Sequence, residues 1–187
     1  MVMAKVAVIY FSKAGSCHQL ALQVAEGISQ CEEASPVLIR IDPKDIVEGR
    51  YENEQVFEQL KQVDGIIFGS PTYMGSAAAQ FKAFMDESSN SYVNREWDGK
   101  IAAGFTCGGS INGEQEQTLL GFFVLACQHG MVWAGLNTSK HFDSLGLNRL
   151  GSNIGLTAHF IQTGEADPND LATARYLGHR VAQLCQK

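Results

Sequence analysis

The sequence has no apolar run approaching the ~18 residues needed to cross a membrane. Its first eleven residues lack a long apolar stretch and a small-residue cleavage site, so we expect no secretory signal. The five cysteines are odd in number and widely spaced, without any Cys-x-x-Cys pair, which argues against a disulfide framework or zinc knuckle. The five histidines show no metal-binding spacing either. These absences predict a cytoplasmic protein with no membrane partner and no metal site.

The sequence also has no basic run and carries a formal net charge of -6, which argues against a nucleic-acid partner. Hydrophobic residues make up 45% of the chain and charged residues 18%, a balance that excludes disorder and allows a sizeable core. At 187 residues, without an internal repeat or linker, the chain fits one domain covering 1–187.

Strand-like and helix-like segments alternate along the chain, and this alternation is typical of a parallel sheet with helices on both faces. The strand-like runs cover residues 5–11, 37–41, 65–70, 101–107 and 131–134, and the helix-like stretches cover 17–30, 52–62, 77–89, 114–129 and 168–186. Asp167 is the expected N-cap of the last helix, which begins at Pro168. Residues 135–164 break the alternation; they are rich in Gly, Asn, Ser and Thr, and we interpret them as a functional or subunit-packing insertion after strand five.

Three loops that follow predicted strands have unusual chemistry. Residues 12–17 combine serine hydroxyls, Gly15 and a helix N-terminus, which together favour a phosphate. Residues 70–75 combine a proline turn with Tyr73 and with Thr72, whose hydroxyl can bond an acceptor. Residues 106–113 hold three glycines that let backbone approach a flat ring.

Each loop alone is also explained as an ordinary turn, but all three follow strands of one predicted sheet. Ligands of open parallel sheets bind outside the carboxyl ends of the strands. The first loop matches neither G-x-G-x-x-G nor G-x-x-x-x-G-K-[ST], so dinucleotide-binding and Walker-type sites are not indicated. The loops together predict a site that holds a phosphate beside a flat heteroaromatic ring.

With these loops in view, the chain resembles the flavodoxin superfamily, and most closely the WrbA-type NAD(P)H:quinone oxidoreductases and related FMN reductases. The resemblance is carried by YFSKAGSCHQLA at 10–21, GIIFGSPTYMG at 65–75 and the block 99–131. It implies a flavodoxin-like three-layer sandwich with a five-stranded parallel sheet in the order 2-1-3-4-5. It also implies noncovalent FMN, with contacts from Ser12, Lys13, Ala14, Gly15, Ser16, Cys17, Pro71, Thr72, Tyr73, Met74, Gly75, Thr106, Cys107, Gly108, Gly109 and Ser110.

The function implied by the resemblance is transfer of electrons from NAD(P)H through FMN to a quinone or similar acceptor, by a homodimer or homotetramer. Because the flavin performs the chemistry, no catalytic residue is named. Tyr92 and His129 are expected to wall the acceptor pocket, supplied across a subunit interface. The chain departs from the family at Ala14 and Gln128, where many relatives carry an aromatic residue and a histidine.

Two other functions remain open at this point: an electron carrier of the flavodoxin type, which docks redox proteins, and a scaffold that has lost FMN. Cys17 is open to two interpretations, of which the second below is favoured. At a helix N-terminus a thiol's pKa tends to fall, which favours a reactive thiol. The alternative is that Cys17 is a small residue beside the phosphate, with Cys107 packed beside the flavin.

Overall fold

The computed structural model of the chain describes residues 3–160 and 166–186. The strands are β1 (Ala4–Tyr10), β2 (Ala34–Arg40), β3 (Ile46–Val47), β4 (Arg50–Tyr51), β5 (Gly65–Tyr73), β6 (Ser76–Ala77), β7 (Ile101–Gly108), β8 (Val132–Trp133) and β9 (Leu156–His159). The helices are α1 (Ser16–Ser29), α2 (Glu54–Lys61), α3 (Ala79–Glu87), α4 (Ser89–Val93), α5 (Gln115–Gln128) and α6 (Pro168–Cys185), with a 3-10 turn at Pro43–Asp45. No helix in these ranges is long and apolar enough to cross a membrane.

The central sheet runs in the order β2-β1-β5-β7-β8, and all neighbours along this path are parallel. The order 2-1-3-4-5 is therefore confirmed, with β5 and β7 as the third and fourth strands. The fifth position is shared by two short strands. β8 pairs with the start of β7, and β9 pairs in parallel with its end, from Phe105 to Gly108.

β9 lies inside the range 135–164, which the sequence analysis treated as an insertion without regular structure. The strand has four residues, too few to show a period, so the sequence pattern did not reveal it. The long connection thus runs between two strands of the same sheet edge. Residues 161–164 of the predicted insertion lie outside the described residues.

The connection between β8 and β9 is fastened to α6 by polar side chains. The Arg149 guanidinium donates two hydrogen bonds of 2.8 Å to the Asp170 carboxylate, which is buried at the start of α6. The Thr173 hydroxyl oxygen accepts a hydrogen bond from the backbone N–H of Asn148 at 3.0 Å. These hydrogen bonds therefore fix the position of the connection between β8 and β9, which is rich in small polar residues and has no large apolar face to pack against α6.

Two hydrophobic clusters flank the sheet and define three layers. β1 is buried on both faces: Val6 and Val8 pack with α1 and α6, while Ala7 and Ile9 face the cluster that includes α2, α3 and α5. This second cluster is rich in aromatic rings, with Phe81 and Phe122 at a centroid distance of 4.9 Å. The predicted three-layer α/β sandwich is confirmed.

α1 and α6 approach each other so closely that their backbones touch through two glycines. A Cβ at Gly27 would lie 1.9 Å from the carbonyl oxygen of Arg175, and one at Gly178 would lie 2.0 Å from that of Val24. Real Cβ atoms do not approach other atoms to such distances, so the packing of these helices requires glycine at both positions. α1 begins at the first of the three loops, so the packing of α1 against α6 also positions that loop.

Candidate functional site

The three predicted loops meet at the carboxyl edge of the sheet and enclose two adjoining cavities. The second and third begin later than predicted, because β5 continues to Tyr73 and β7 to Gly108, so their first residues are the last residues of these strands. The first has a volume of about 350 Å³ and is lined by Ser12, Lys13, Ala14, Ser16, Cys17, Pro71, Thr72, Tyr73, Cys107, Gly108, Gly109 and Phe160. The second has a volume of about 490 Å³ and is lined by Thr72, Met74, Gly75, Gly108, Gly109, Ser110, Gly113, Glu114 and Gln115. Thr72, Gly108 and Gly109 belong to both, so the two cavities form one elongated cleft.

The first loop is shaped to present backbone N–H groups to an anion. Gly15 is the N-cap of α1 with a φ of 95°, a conformation that side chains other than glycine rarely adopt. The first N–H groups of a helix have no partner within the helix. The backbone N–H of His18 donates to the Ser12 hydroxyl oxygen at 3.2 Å. The two preceding backbone N–H groups belong to Ser16 and Cys17, and both of these residues line the cavity. The first turn of α1 has no acidic residue, so nothing there repels an anion.

Arg40, at the end of the neighbouring strand β2, braces this loop from outside. Its guanidinium donates a hydrogen bond of 2.8 Å to the carbonyl oxygen of Ser12. A residue in an edge strand thereby holds the entry to the loop against the sheet. This role of Arg40 could not be predicted, because the register that brings β2 beside β1 is not visible in the sequence.

A directed chain of hydroxyls supports the second loop. The Thr106 hydroxyl donates to the carbonyl oxygen of Ser70 at 2.7 Å, and the Thr72 hydroxyl lies 2.8 Å from those of both Thr106 and Thr118. A hydroxyl has one hydrogen, so Thr72 donates to Thr106 and accepts from Thr118. Thr72 therefore has no hydrogen left for a ligand and offers an acceptor lone pair, the reverse of the donor role that the sequence suggested.

The tip of the second loop exposes an aromatic ring and a thioether. Tyr73 is 45% exposed, and Met74 is fully exposed with a φ of 48°. Gly75 follows with a φ of 83°, and the chain reverses so that β6 pairs with the end of β5. Burial of the phenol is the main reason that the pKa of Tyr73 is raised, so this side chain stays protonated. Exposed apolar groups beside a cleft are suited to cover a flat ring.

Gln115, the first residue of α5, clamps the glycine loop. Its side-chain N–H donates to the carbonyl oxygen of Ser110 at 3.0 Å, and its oxygen accepts from the backbone N–H of Ala158 at 3.1 Å. The residue is 1% exposed and lines the second cavity. Gln115 lies in the block 99–131 that carried the family resemblance, but its clamping role depends on β9 and could not be predicted from the sequence.

Two thiols lie in contact in the wall of the first cavity. The Cys17 and Cys107 sulfur atoms are 3.0 Å apart, and both residues are buried. Burial, together with the neighbouring Cys107, raises the pKa of Cys17 well above its usual value. The pKa of Cys17 is therefore raised and not lowered as expected at a helix N-terminus, and desolvation of the thiolate is the largest cause of the rise.

The structure brings most of the predicted cofactor contacts together. All of them line one of the two cavities except Gly15, which shapes the first loop, and Thr106, which lies beneath Thr72 and is fully buried. The cavities also contain residues that the sequence analysis missed: Phe160, Gly113, Glu114 and Gln115. Phe160 falls within the predicted insertion, at the end of β9.

Tyr92 and His129 lie elsewhere, before the amino ends of β7 and β8. They line a separate cavity of about 370 Å³ that shares no residue with the cleft, and their ring centroids are 5.9 Å apart. The Ser88 hydroxyl donates to Met85, so His129 must donate from Nε2 to Ser88 at 3.0 Å, which leaves Nδ1 unprotonated. Within one chain, these residues do not join the loop site.

Among residues 3–160 and 166–186, no group of three or more His, Cys, Asp or Glu side chains is placed to hold a metal ion. The cleft offers helix N–H groups at one end, and an aromatic ring and glycine backbone at the other.

This fold and cleft define a flavodoxin-like protein. The structure is similar to that of a WrbA-like flavodoxin from Agrobacterium tumefaciens, with a TM-score of 0.76 and 36% identity over 98% of both chains. The profile of the NADPH-dependent FMN reductases matches residues 4–140. The sequence is 34% identical to "Flavodoxin FldP" of Pseudomonas aeruginosa, over 99% of this chain and 98% of that protein. It is 33% identical to "NAD(P)H dehydrogenase (quinone)" of Archaeoglobus fulgidus, over 99% of each. The chain belongs to the NADPH-dependent FMN reductase family.

Proposed function

We propose that the protein is an FMN-dependent oxidoreductase that passes electrons from NAD(P)H to a quinone or similar acceptor. The single observation that carries this proposal is the cleft at the carboxyl edge of the sheet, with an anion-binding helix N-terminus at one end and an exposed aromatic loop at the other. Membership of the NADPH-dependent FMN reductase family and the relatives named NAD(P)H dehydrogenase (quinone) support the same reaction.

The residues of the cleft fit FMN in kind and in position. The N–H groups at the start of α1 suit its phosphate, because the dipole favours negative charge there and no acidic side chain opposes it. Tyr73 and Met74 suit the face of its ring system, and the backbone of Gly108 and Gly109 suits the polar ring edge. Thr72, between the two ends, offers an acceptor to a ligand hydroxyl or N–H.

The chain's own contribution is binding, orientation and exclusion of side reactions. FMN, when bound, supplies hydride acceptance and donation, so no side chain is needed as acid or base for that transfer. The titratable groups of the first cavity agree with this division: burial raises the pKa of both Cys17 and Tyr73, so both stay protonated. Thr72, Thr106 and Thr118 keep the second loop in one orientation through their directed hydroxyl chain.

Tyr92 and His129 serve the acceptor pocket in this proposal only when a second copy of the chain brings them to the cleft. They are on the amino side of the sheet, whereas the cleft is on the carboxyl side. A homodimer or homotetramer is therefore part of the proposal, as is a cytoplasmic location. The exposed apolar side chains of Leu120 and Val124 on α5, 41% and 49% exposed, support self-association.

The second candidate function is that of an electron carrier, favoured by the 34% identity to a protein named flavodoxin. A carrier binds FMN equally well but exchanges electrons with a protein instead of a nicotinamide. We would load the purified chain with FMN and follow NADH and NADPH oxidation anaerobically, with and without benzoquinone. Quinone-dependent turnover with either nucleotide supports the oxidoreductase. FMN bound without reduction by either nucleotide refutes it and leaves the carrier.

A substitution at Ser16 tests the phosphate end separately from catalysis. Ser16→Glu places a carboxylate in the first turn of α1, where it favours the helix but repels a phosphate. We expect FMN affinity to fall at least about tenfold by electrostatic repulsion while thermal stability is kept. Riboflavin, which lacks the phosphate, should bind both forms alike, and Ser16→Gln is the uncharged control. An equal loss for FMN and riboflavin would place the phosphate elsewhere.

A further inference from the structure

Cys17 and Cys107 form a pair of thiols that the proposed function does not use. They come from the first turn of α1 and the end of β7, and their sulfur atoms are 3.0 Å apart. Cys17 is 1% exposed and Cys107 3% exposed, and both line the first cavity. The side chains therefore meet across the inner wall of the cleft, between two of its three loops.

The distance between these sulfur atoms is close to that of a covalent pair. A disulfide bond is about 2.05 Å long, so forming one requires the sulfur atoms to approach by about 1 Å. The cavity beside the pair gives a small oxidant a route to thiols that bulk solvent barely touches.

We propose that Cys17 and Cys107 are an oxidisable dithiol, which a peroxide-class oxidant converts to an intramolecular disulfide across the wall of the cleft. Burial keeps Cys17 mostly protonated at neutral pH, so the reaction starts from the small fraction of molecules in which one thiol of the pair has lost its proton. That thiolate attacks a peroxide oxygen, breaks the O–O bond and becomes a sulfenic acid, while the released hydroxide takes up the lost proton to form water. The second thiolate attacks that sulfur and displaces hydroxide, which leaves as a second water. In sum, two thiols and one hydrogen peroxide give one disulfide and two waters.

Cys127 and Cys31 lie in different surroundings. Cys127 is exposed on α5 and suits bonds between molecules. The Cys31 sulfur lies 3.2 Å from Nδ1 of His179, at the far end of α1 from the cleft. Oxidation of Cys17 and Cys107 therefore gives a product distinct from that of any neighbouring thiol: an internal crosslink between residues 90 positions apart.

A bound cofactor should shield this pair, a consequence that rests on the proposed function. Both thiols line the cavity assigned to FMN, so filling the cavity closes the oxidant's route. Oxidation should accordingly be slower in the FMN-loaded protein than in the apo-protein. The crosslink itself does not depend on FMN, which keeps the two proposals separable.

The test counts thiols after oxidation. The apo-protein is treated with hydrogen peroxide, quenched with catalase, denatured and alkylated with N-ethylmaleimide, and the intact mass is measured. We expect the number of alkylated cysteines to fall from five to three, the peptides of Cys17 and Cys107 to be found joined, and dithiothreitol to restore all five. The same time course is run with FMN, whose binding is verified by fluorescence.

Three variants control the assignment. Cys127→Ser should still lose two alkylation sites, from four to two, without intermolecular crosslinks. Cys17→Ala and Cys107→Ala should each keep four. The joined peptides of the wild-type protein decide the matter even if these two variants fold poorly. Retention of the Cys17 and Cys107 thiols while Cys127 is oxidised, or a crosslink between other cysteines, overturns the proposal. Equal rates with and without bound FMN overturn the shielding.

Discussion

The contact between α1 and α6 allows a specific prediction, because it depends on the absence of a Cβ atom at Gly27 and at Gly178. Gly27→Ala would place its Cβ 1.9 Å from the Arg175 carbonyl oxygen, and Gly178→Ala would place its own 2.0 Å from that of Val24. Both obstacles are helix backbone, which cannot turn aside as a side chain can. The helices must therefore separate by more than ~1 Å to restore an ordinary contact distance.

The expected loss of stability is the difference between two opposing effects. Overpacking costs about 1–3 kcal/mol and occasionally more, and a backbone obstacle belongs at the upper end. Alanine recovers about 1 kcal/mol through its greater helix propensity. We expect each variant to lose about 2 kcal/mol, which lowers the melting temperature of a chain this size by roughly 4–8 °C. The double variant should lose less than the sum, because one separation relieves both contacts.

Gly121→Ala is the matched control, since this glycine lies inside α5 and its added Cβ would meet nothing within 4 Å. It should gain about 1 kcal/mol and melt a few degrees higher. Thermal unfolding followed by circular dichroism compares the four variants with the wild-type protein. α1 carries the first loop, so Gly178→Ala should also weaken FMN binding although it is far along the chain from that loop. A rise in melting temperature for Gly27→Ala, like that of the control, would refute the interpretation of this contact.

Three further predictions concern polar groups. Arg40→Met removes the guanidinium that holds the Ser12 carbonyl, so FMN affinity measured by fluorescence titration should fall about fivefold; unchanged affinity would show that the loop needs no brace. Burial lowers the pKa of His129 to about 4 in the folded protein. As pH falls below ~6.5, the imidazole is therefore protonated in the unfolded chain before it is protonated in the folded one. Stability should therefore decline by up to about 3 kcal/mol between pH 6.5 and 4, and a urea series should show a flatter profile for His129→Gln. Arg149→Met leaves the buried Asp170 carboxylate without its partner and should cost about 3 kcal/mol at pH 7, with partial recovery in the double variant carrying Asp170→Asn.

Much of the fold was predictable because its strands are buried on both faces. The apolar runs at 5–11, 65–70 and 101–107 correspond to β1, β5 and β7, the central strands of the sheet. The Asp167 cap is also confirmed, since its carboxylate accepts from the backbone N–H of Asn169 at 2.8 Å. Local pattern sufficed here because a central parallel strand and a helix cap each depend on residues close in sequence.

The edges of the sheet were harder to predict. β2 begins at Ala34 rather than at residue 37, and it includes Pro36, which an edge strand accepts because one side makes no ladder. β9 is too short to show alternation, and its place beside β7 follows from the sheet rather than from its own residues. Edge strands owe their position to pairing partners distant in sequence, so composition alone does not reveal them.

In the candidate site, too, the features set by neighbouring residues were predictable and those set by distant residues were not. Which loops line the cleft was predictable, because glycine, serine and proline after a strand are local signals. The direction of the Thr72 hydroxyl, the clamp by Gln115 and the contact between Cys17 and Cys107 were not, because each joins residues from different loops. Sequence therefore indicated the kind of ligand, and the structure was needed to assign what each side chain does toward it.

The charge of the chain and the charge of its proposed ligand illustrate why composition is a weak guide to a site. The protein carries a net charge of -6, yet the cleft suits a phosphate. Arg40 already donates to the Ser12 carbonyl, and Lys13 is an exposed residue of the loop. N–H groups and the helix dipole at the start of α1, where no carboxylate intervenes, attract an anion in addition to these two cations. Backbone dipoles contribute nothing to a count of charged residues. An acidic protein can therefore bind an anion where the N-terminus of a helix faces the binding site.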